Sequence, residues 1–306
     1  MPSPTLEQLA LRYVRDRRAR GELGRGTARQ YESRLLDFAT INIAATDVTR
    51  RHVDRWLERP GLRPHYRRSR LSTLRGFCKW CVLNGHMTKD PTLGVPLAPL
   101  PDLLPRNLAS DESSALMDVA RLDPRIRLAA LFMLQEGLRR KEVAEIRIED
   151  IDRARREVGV RGKGGHGGIT RREPISHETW AALVAYLPIV AASSGPLLRS
   201  TRYPERGISP AWLGELVTRV MYEAGAKHYP KDGRSPHALR HTAAQDMIDM
   251  DVPMEVVQRV LGHKSIANTQ LYVRASARGL RERMGTRTYE AQDHPAGRLL
   301  GLDEAG

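Results

Sequence analysis

The chain has 306 residues, of which 41% are hydrophobic and 28% are charged, and its formal net charge is +14. The length suffices for two domains with separate cores, and no run of about 18 apolar residues predicts a membrane span. The N-terminus lacks a basic segment followed by an apolar one, so we predict no signal peptide and a cytoplasmic location. The positive charge indicates a polyanionic partner.

Four helices are predicted in the first 90 residues by their apolar spacing. Thr5 and Gln8 form a capping box at the start of the first helix, and Thr27 and Gln30 have the same spacing at the expected start of the second. The predicted spans are about 5–20, from 27 onward, about 49–58 and 64–84. This part of the chain is expected to be a small helical bundle.

The excess basic charge lies mainly in this N-terminal third. Residues 1–100 contain 19 Lys and Arg against 9 Asp and Glu. Charged helix faces are often simply solvated, but a face of one sign favours contact with a nucleic-acid backbone. The candidate DNA contacts lie along the fourth helix: Arg67, Arg68, Arg70 and Arg75.

The two cysteines of the chain, Cys78 and Cys81, occur in the same predicted helix. No second pair of cysteines or histidines accompanies them at the spacing of a zinc finger. Both fall in the apolar stripe of the helix, so we interpret them as core residues.

A proline-rich stretch follows the bundle. Residues 91–105 contain five prolines and are expected to form a semi-rigid linker. The predicted organisation is a helical DNA-binding domain over 1–90, a linker over 91–105 and a second domain over 106–306, with a C-terminal tail from about 275.

The second domain is predicted to be mainly helical with a small sheet. Alternating apolar residues and clustered glycines favour a short antiparallel sheet within 146–176. The helices are expected from Ser110 onward and at about 125–136, 177–187 and 210–224, followed by those of the C-terminal region.

The glycine-rich segment 162–168 contains Lys163 at the expected tip of a β-hairpin. The segment matches G-x-G-x-x-G by accident, because no parallel strand and helix surround it. It is no phosphate-binding loop of the Walker A type either, since no Ser or Thr follows the lysine.

The stretch 235–272 concentrates polar side chains near predicted helix ends. His237, Arg240 and His241 stand at i, i+3 and i+4, so we expect them on one exposed face. A helix N-terminus favours anions and disfavours a charged imidazole, so His237 should stay neutral near pH 7. The pattern indicates a phosphate pocket with a proton acceptor.

His237-x-x-Arg240, followed by residues 261–263 (Leu-Gly-His) and Tyr272, resembles the C-terminal signature of the tyrosine recombinase (phage integrase) family. Residues 137–151 fit a second family pattern, G-L-R-x-x-E-[LV]-x-x-[LI]-x-x-x-D-I. The usual Thr before the Gly is Glu136 here.

The resemblance implies a SAM-like helical core-binding domain and an α+β catalytic domain. It implies site-specific recombination of double-stranded DNA with inverted-repeat core sites, through a 3′-phosphotyrosyl intermediate and a Holliday junction, without metal, ATP or cofactor. The expected assembly is a homotetramer on DNA that is a monomer or weak oligomer when free, with accessory proteins as further candidate partners.

The resemblance also implies roles for individual residues. Arg139, Arg240 and His263 would stabilise the phosphate, and Tyr272 would be the nucleophile. Lys163 would be the general acid, and His237 is our candidate base. Glu142 and His241 would support the site.

Other readings remain open from the sequence. A metal nuclease could use Asp150 and Asp152, and His237 with His241 has the i, i+4 spacing of a zinc site but lacks the H-E-x-x-H glutamate. A regulator that binds DNA without catalysis could use the same scaffold. Within the family, a Xer-type resolvase and a compact integrase of a phage or mobile element, without an arm-binding module, fit equally.

Overall fold

The computed structural model describes residues 4–97, 99, 106–161, 168–230 and 232–262. The chain divides into two compact units, residues 1–103 and 104–306. The division falls within the proline-rich stretch.

The N-terminal unit contains four helices: α1 (Leu6–Ala19), α2 (Arg25–Ala39), α3 (Arg50–Leu57) and α4 (Pro64–Leu83). The capping box at the start of α1 is formed, since the Thr5 hydroxyl accepts from the Gln8 amide and the Gln8 side chain accepts from the Thr5 amide. The expected box at Thr27 is wrong. Gly24 is the N-cap of α2 and its carbonyl accepts from the Ala28 amide, so the helix begins two residues earlier.

Aromatic side chains fill the core of this unit. Tyr13 lies between Phe77 and Trp80, with both ring centroids 5.7 Å away. Cys78 and Cys81 are fully buried in the same cluster, where burial raises the pKa of Cys81 to about 12. The cysteines therefore pack as apolar core residues, as predicted.

Arg70 is buried, and this corrects its expected place on a solvent-facing row of arginines. Its guanidinium lies 4.0 Å from the centroid of the Trp56 ring and pairs with the carboxylate of Asp37, which also accepts from the Trp56 indole at 2.8 Å. Stacking and pairing together stabilise a cation that is withdrawn from water, although its Nε has no hydrogen-bond partner among the described residues. Arg75 donates to the Val95 carbonyl, and the remaining arginines of the row, Arg67 and Arg68, are partly exposed.

Seven helices are described in the C-terminal unit, within residues 106–262. They are α5 (Ser110–Ala120), α6 (Pro124–Leu134), α7 (Arg140–Ala144), α8 (His177–Val190), α9 (Pro210–Glu223), α10 (His237–Asp249) and α11 (Met254–Leu261). Helix α10 begins at His237, and α6 ends two residues before its expected end.

Three antiparallel strands form one sheet in the order β1-β2-β3: β1 (Ile151–Asp152), β2 (Glu157–Arg161) and β3 (Ile169–Pro174). Val160 of β2 pairs with Arg171 of β3, and the register shifts between Val160 and Arg161. The predicted class, mainly helical with a small antiparallel sheet, is confirmed.

Helix α6 is the centre of this unit. It packs against α5, α7, α8, α9 and α10, and it is apolar around most of its circumference, as a central helix must be. Leu128, Phe132 and Met133 are completely buried. The C-terminal end of α6 thereby holds the turn to α7 in a fixed place. Among the described residues, no helix is long and apolar enough to cross a membrane.

Candidate active site

The turn between α6 and α7 carries Arg139 into the candidate site. Gly137 adopts a left-handed conformation (φ 61°), and Leu138 is buried. Arg139 is the N-cap residue of α7, and Glu142 accepts hydrogen bonds from the Arg139 amide at 2.8 Å and from its Nη1 at 2.7 Å. Glu142 thus fixes both ends of the same arginine, the backbone and the side chain.

Arg240 lies beneath this turn, not on the expected exposed face of α10. Its side chain is 2% exposed, and its Nη1 donates to the Gly137 carbonyl at 2.5 Å. Its Nη2 donates to the Leu261 carbonyl. Because these two carbonyls belong to the turn after α6 and to the end of α11, Arg240 links α10 to both segments and is drawn into the protein.

The guanidinium of Arg139 remains accessible, with 37% of the side chain exposed. Its Nη2 donates to the carbonyl of Gly262 at 3.1 Å, and Gly262 is the left-handed C-cap residue of α11. A guanidinium has five N–H donors in one plane. Arg139 therefore combines a held position with hydrogen-bond capacity at the surface.

His237 and His241 lie on successive turns of α10, with ring centroids 5.1 Å apart and planes nearly perpendicular. His237 is exposed and His241 is partly buried. Partial desolvation, followed by the positive charges of Arg240 and Arg139, lowers the pKa of His237. Desolvation also lowers the pKa of His241, to about 4. At neutral pH both imidazoles are uncharged, so His237 can accept a proton.

Glu142 is the anion at the centre of the cluster and is 5% exposed. Burial alone would raise its pKa, but hydrogen bonds and charge from Arg171 and Arg139 outweigh that effect and lower the pKa. Its Oε2 also lies 3.9 Å from Nη1 of Arg240. Glu142 is consequently a carboxylate surrounded by three guanidinium groups.

The sequence interpretation missed three further ion pairs in this region. Arg171 of β3 donates to Glu142 and to Glu173, and Arg161 at the end of β2 donates to both carboxylate oxygens of Asp150 at 2.6 and 2.9 Å. No clear signal for them was present in the sequence, because Arg171, Arg172 and Glu173 follow one another without the alternation of a strand that has one buried face. Asp150 is 2% exposed and engaged by Arg161, which makes it a structural carboxylate.

Lys163, His263 and Tyr272 lie outside the described residues. The described part of the site comprises Arg139, Glu142, Arg240, His237 and His241. It offers a positioned cation, a neutral imidazole and the N-terminus of α10, which together suit a phosphate group.

Comparison with known proteins decides the family. The model of the phage integrase family matches residues 106–278, which is more than half of the chain. The chain belongs to the phage integrase family.

Curated relatives of this phage integrase family member are tyrosine recombinases. The chain is 30% identical over 236 residues to tyrosine recombinase XerD of Pseudomonas aeruginosa, with 74% of each chain covered. It is 34% identical over 185 residues to tyrosine recombinase XerA of Pyrococcus furiosus, with 60% of this chain and 62% of the relative covered.

Solved structures with the same fold include two integrases. A lambda integrase dimer bound to a COC′ core site gives a TM-score of 0.70 at 20% identity, with 95% of this chain and 81% of that chain covered. The Tn1549 transposon integrase in complex with circular intermediate DNA gives 0.70 at 18% identity, with 88% and 95% covered. These likenesses establish that the fold is that of the integrases.

Proposed function

We propose that this protein is a site-specific tyrosine recombinase that integrates, excises or resolves DNA by cleaving and rejoining its strands. The observation that carries the proposal is the buried Glu142 carboxylate, which holds the accessible Arg139 near the N-terminus of α10, where His237 is neutral. The relatives named tyrosine recombinase and the integrases solved on DNA support double-stranded DNA as the substrate.

Arg139 is the primary phosphate ligand in this proposal. Its accessible guanidinium donates to the non-bridging oxygens, and removing such a donor typically costs about 3–4 kcal/mol of transition-state stabilisation. Arg240 adds positive potential from below the surface. Direct contact between Arg240 and the phosphate requires that its buried guanidinium become accessible, because two of its N–H groups already donate to the Gly137 and Leu261 carbonyls and the side chain is almost fully buried.

Tyr272 is proposed as the nucleophile. Its oxygen attacks the scissile phosphorus, a P–O bond to the tyrosine forms, and the bond to the 5′ oxygen breaks. His237 takes the phenolic proton, Lys163 protonates the leaving 5′ oxygen, and His263 donates to a non-bridging oxygen. Because the new phosphodiester keeps the energy of the old one, a 5′ hydroxyl of a second strand can reverse the step without ATP.

DNA binding by the first domain and assembly on DNA complete the proposal. Residues 1–90 are proposed to bind the DNA backbone, 91–105 to form the linker and 106–306 to form the catalytic domain with its C-terminal tail. Two duplexes with inverted-repeat core sites would be joined by a homotetramer. The basic N-terminal third supports this part of the proposal because counterion release favours its binding to DNA.

The test measures covalent attachment of DNA to the protein. A plasmid carrying the DNA that flanks this gene is incubated with the wild-type protein, Tyr272→Phe or the control Tyr229→Phe, without magnesium, and is quenched with detergent. Tyr229 is an exposed tyrosine of the loop before α10, so its replacement controls for loss of any phenol. The adduct should form with wild type and Tyr229→Phe only.

Tyr272→Phe should still bind the plasmid with wild-type affinity. An adduct of undiminished yield with Tyr272→Phe would remove Tyr272 from the mechanism. Tight binding without any adduct from the wild type, on this plasmid and on an excised site from a suspected host, would identify a DNA-binding protein without catalysis.

A further inference from the structure

Strand β3 presents a cation and an anion to the inner side of the sheet. Arg171 is opposite Val160 and Glu173 is opposite Val158, and both valines are completely buried. Opposed residues of an antiparallel pair point to the same face. Arg171 and Glu173 therefore face the core, whereas Arg172 between them is exposed on the other face.

All three nitrogens of the Arg171 guanidinium are engaged by carboxylates. Nη1 and Nη2 donate to the two oxygens of Glu142, each at 3.2 Å, and Nε donates to Glu173 at 2.7 Å. The side chains of Arg171, Glu142 and Glu173 are only 17%, 6% and 5% exposed. A planar guanidinium that forms a bidentate pair fixes the plane of its carboxylate partner.

Glu142, held in this orientation by Arg171, in turn orients Arg139 through hydrogen bonds. The two oxygens that accept from Arg171 also accept from the Arg139 amide and Nη1. Gly262 permits the close approach of the two arginines, since a Cβ there would lie 3.3 Å from Nη1 of Arg171 and 3.6 Å from Nη1 of Arg139. The contacts form one chain from Glu173 through Arg171 and Glu142 to Arg139.

The charges of the cluster also favour an anion. Three guanidinium groups outnumber two carboxylates, and Arg259 adds a further positive charge near Glu173, so the net charge is positive. Without Arg171, the buried Glu142 carboxylate would neutralise much of the charge of Arg139. The guanidinium of Arg171 thus keeps Arg139 both oriented and electrostatically available. The charged side chains are Arg139, Arg171, Arg240, Glu142 and Glu173.

We propose that Arg171 is a positioning residue for DNA strand cleavage, which holds Arg139 in place through the Glu142 carboxylate. The inference rests on the proposed function, because Arg139 is the phosphate ligand only if the protein cleaves DNA. Misplacing a catalytic group by about 1 Å can cost about 10²-fold in rate. Arg171→Lys keeps the charge but replaces the planar fork by one ammonium group, so it should slow cleavage by about 10- to 100-fold.

The experiment compares Arg171→Lys with Arg172→Lys, the same change on the adjacent and exposed strand position. Adduct formation is measured in single turnover on an oligonucleotide duplex that contains the cleavage position mapped with the wild-type protein. A second duplex carries a methylphosphonate at that position. The methyl group replaces one non-bridging oxygen and makes the linkage neutral, so cleavage there depends less on Arg139.

Arg171→Lys should be slow on the phosphodiester and within about threefold of wild type on the methylphosphonate, since the lost contact acts through Arg139. Arg172→Lys should match wild type on both. Wild-type rates for Arg171→Lys on the phosphodiester would overturn the inference, as would an equal loss on both substrates, which indicates damage to the fold. If the wild type cleaves neither duplex, the proposed function fails and this inference fails with it.

A milder variant covers the case in which Arg171→Lys does not fold. Glu173→Gln weakens one anchor of Arg171, because it removes the charge of the acceptor, but leaves the pair of Arg171 with Glu142 in place. It should give a smaller loss on the phosphodiester and the same recovery on the methylphosphonate, with a thermal unfolding midpoint measured beside it. If folded Glu173→Gln cleaves the phosphodiester at the wild-type rate, the contact between Glu173 and Arg171 does not contribute to positioning Arg139.

Discussion

Arg240 donates a hydrogen bond of 2.5 Å to the carbonyl oxygen of Gly137, and this bond joins the first turn of α10 to the turn that carries Arg139. The two family motifs, within 137–151 and 235–272, are far apart in the sequence and are brought into direct contact by this bond. Since Gly137 is buried and left-handed, its geometry decides where Arg139 lies.

Gly137→Ala should therefore destabilise the protein and slow cleavage. The new Cβ would lie 2.9 Å from a methyl carbon of Leu261, at a φ of 61° that side chains rarely adopt. The strain should cost about 1–3 kcal/mol in the free energy of unfolding. Gly225→Ala is the matched control, with φ 70° and no atom within 4 Å of the added carbon. Chemical denaturation should show a larger loss for Gly137→Ala, and equal losses would contradict the contact with Leu261.

Glu136→Gln should stabilise the protein above neutral pH. Burial raises the pKa of Glu136 to about 7, against hydrogen bonds from Ser176 and Thr179. The folded carboxyl keeps its proton where the unfolded one has lost it, so its contribution to stability is full below about pH 4.5 and is lost as the pH rises through 7. At pH 8 we expect the thermal midpoint of Glu136→Gln to exceed that of wild type. A lower midpoint at pH 8 would refute the raised pKa.

His241→Gln should flatten the acid side of the stability profile. The folded pKa of His241 is about 4, whereas an unfolded histidine titrates near 6.5. Between these values the unfolded chain binds a proton that the folded chain excludes, so stability falls as the pH drops from about 6.5 to 4. Thermal midpoints measured across this range should fall less steeply for His241→Gln. An unchanged slope would show that His241 takes up its proton in the folded protein.

Replacing Arg67 and Arg68 by Ala should weaken DNA binding and make it less dependent on salt. Each phosphate contact contributes about 0.9 to the slope of log K against log salt concentration. Loss of both contacts should lower that slope by about 2 in a binding titration. Arg70→Ala is the control for stability, because Arg70 is buried against Trp56 and paired with Asp37. Arg70→Ala should lower the melting temperature more than the double variant does. An unchanged salt slope for the double variant would exclude the face of α4 that carries Arg67 and Arg68 from the DNA interface.

The sequence by itself determined most of the helices, the class of fold and the family motifs, although it did not predict α7. The signals for the helices act within one helix and need no tertiary contact, so they can be recognised in the sequence. They include apolar residues at helical spacing, Pro at the start of α9 and Gly262 after α11. The neutral state expected for His237 also agrees with the structure, although desolvation and nearby arginines are its causes.

Only the tertiary structure decided which charged residues are buried and which residues they contact. Helical spacing placed Arg240 on the face of His237 and Arg70 on a row of solvent-facing arginines, yet both are buried because distant segments supply their partners. Arg171 reaches Glu142 across 29 positions of sequence. Sequence periodicity predicts on which face of its own helix or strand a side chain lies. It does not predict the partner that makes burial of a charge favourable, because that partner comes from a distant part of the chain.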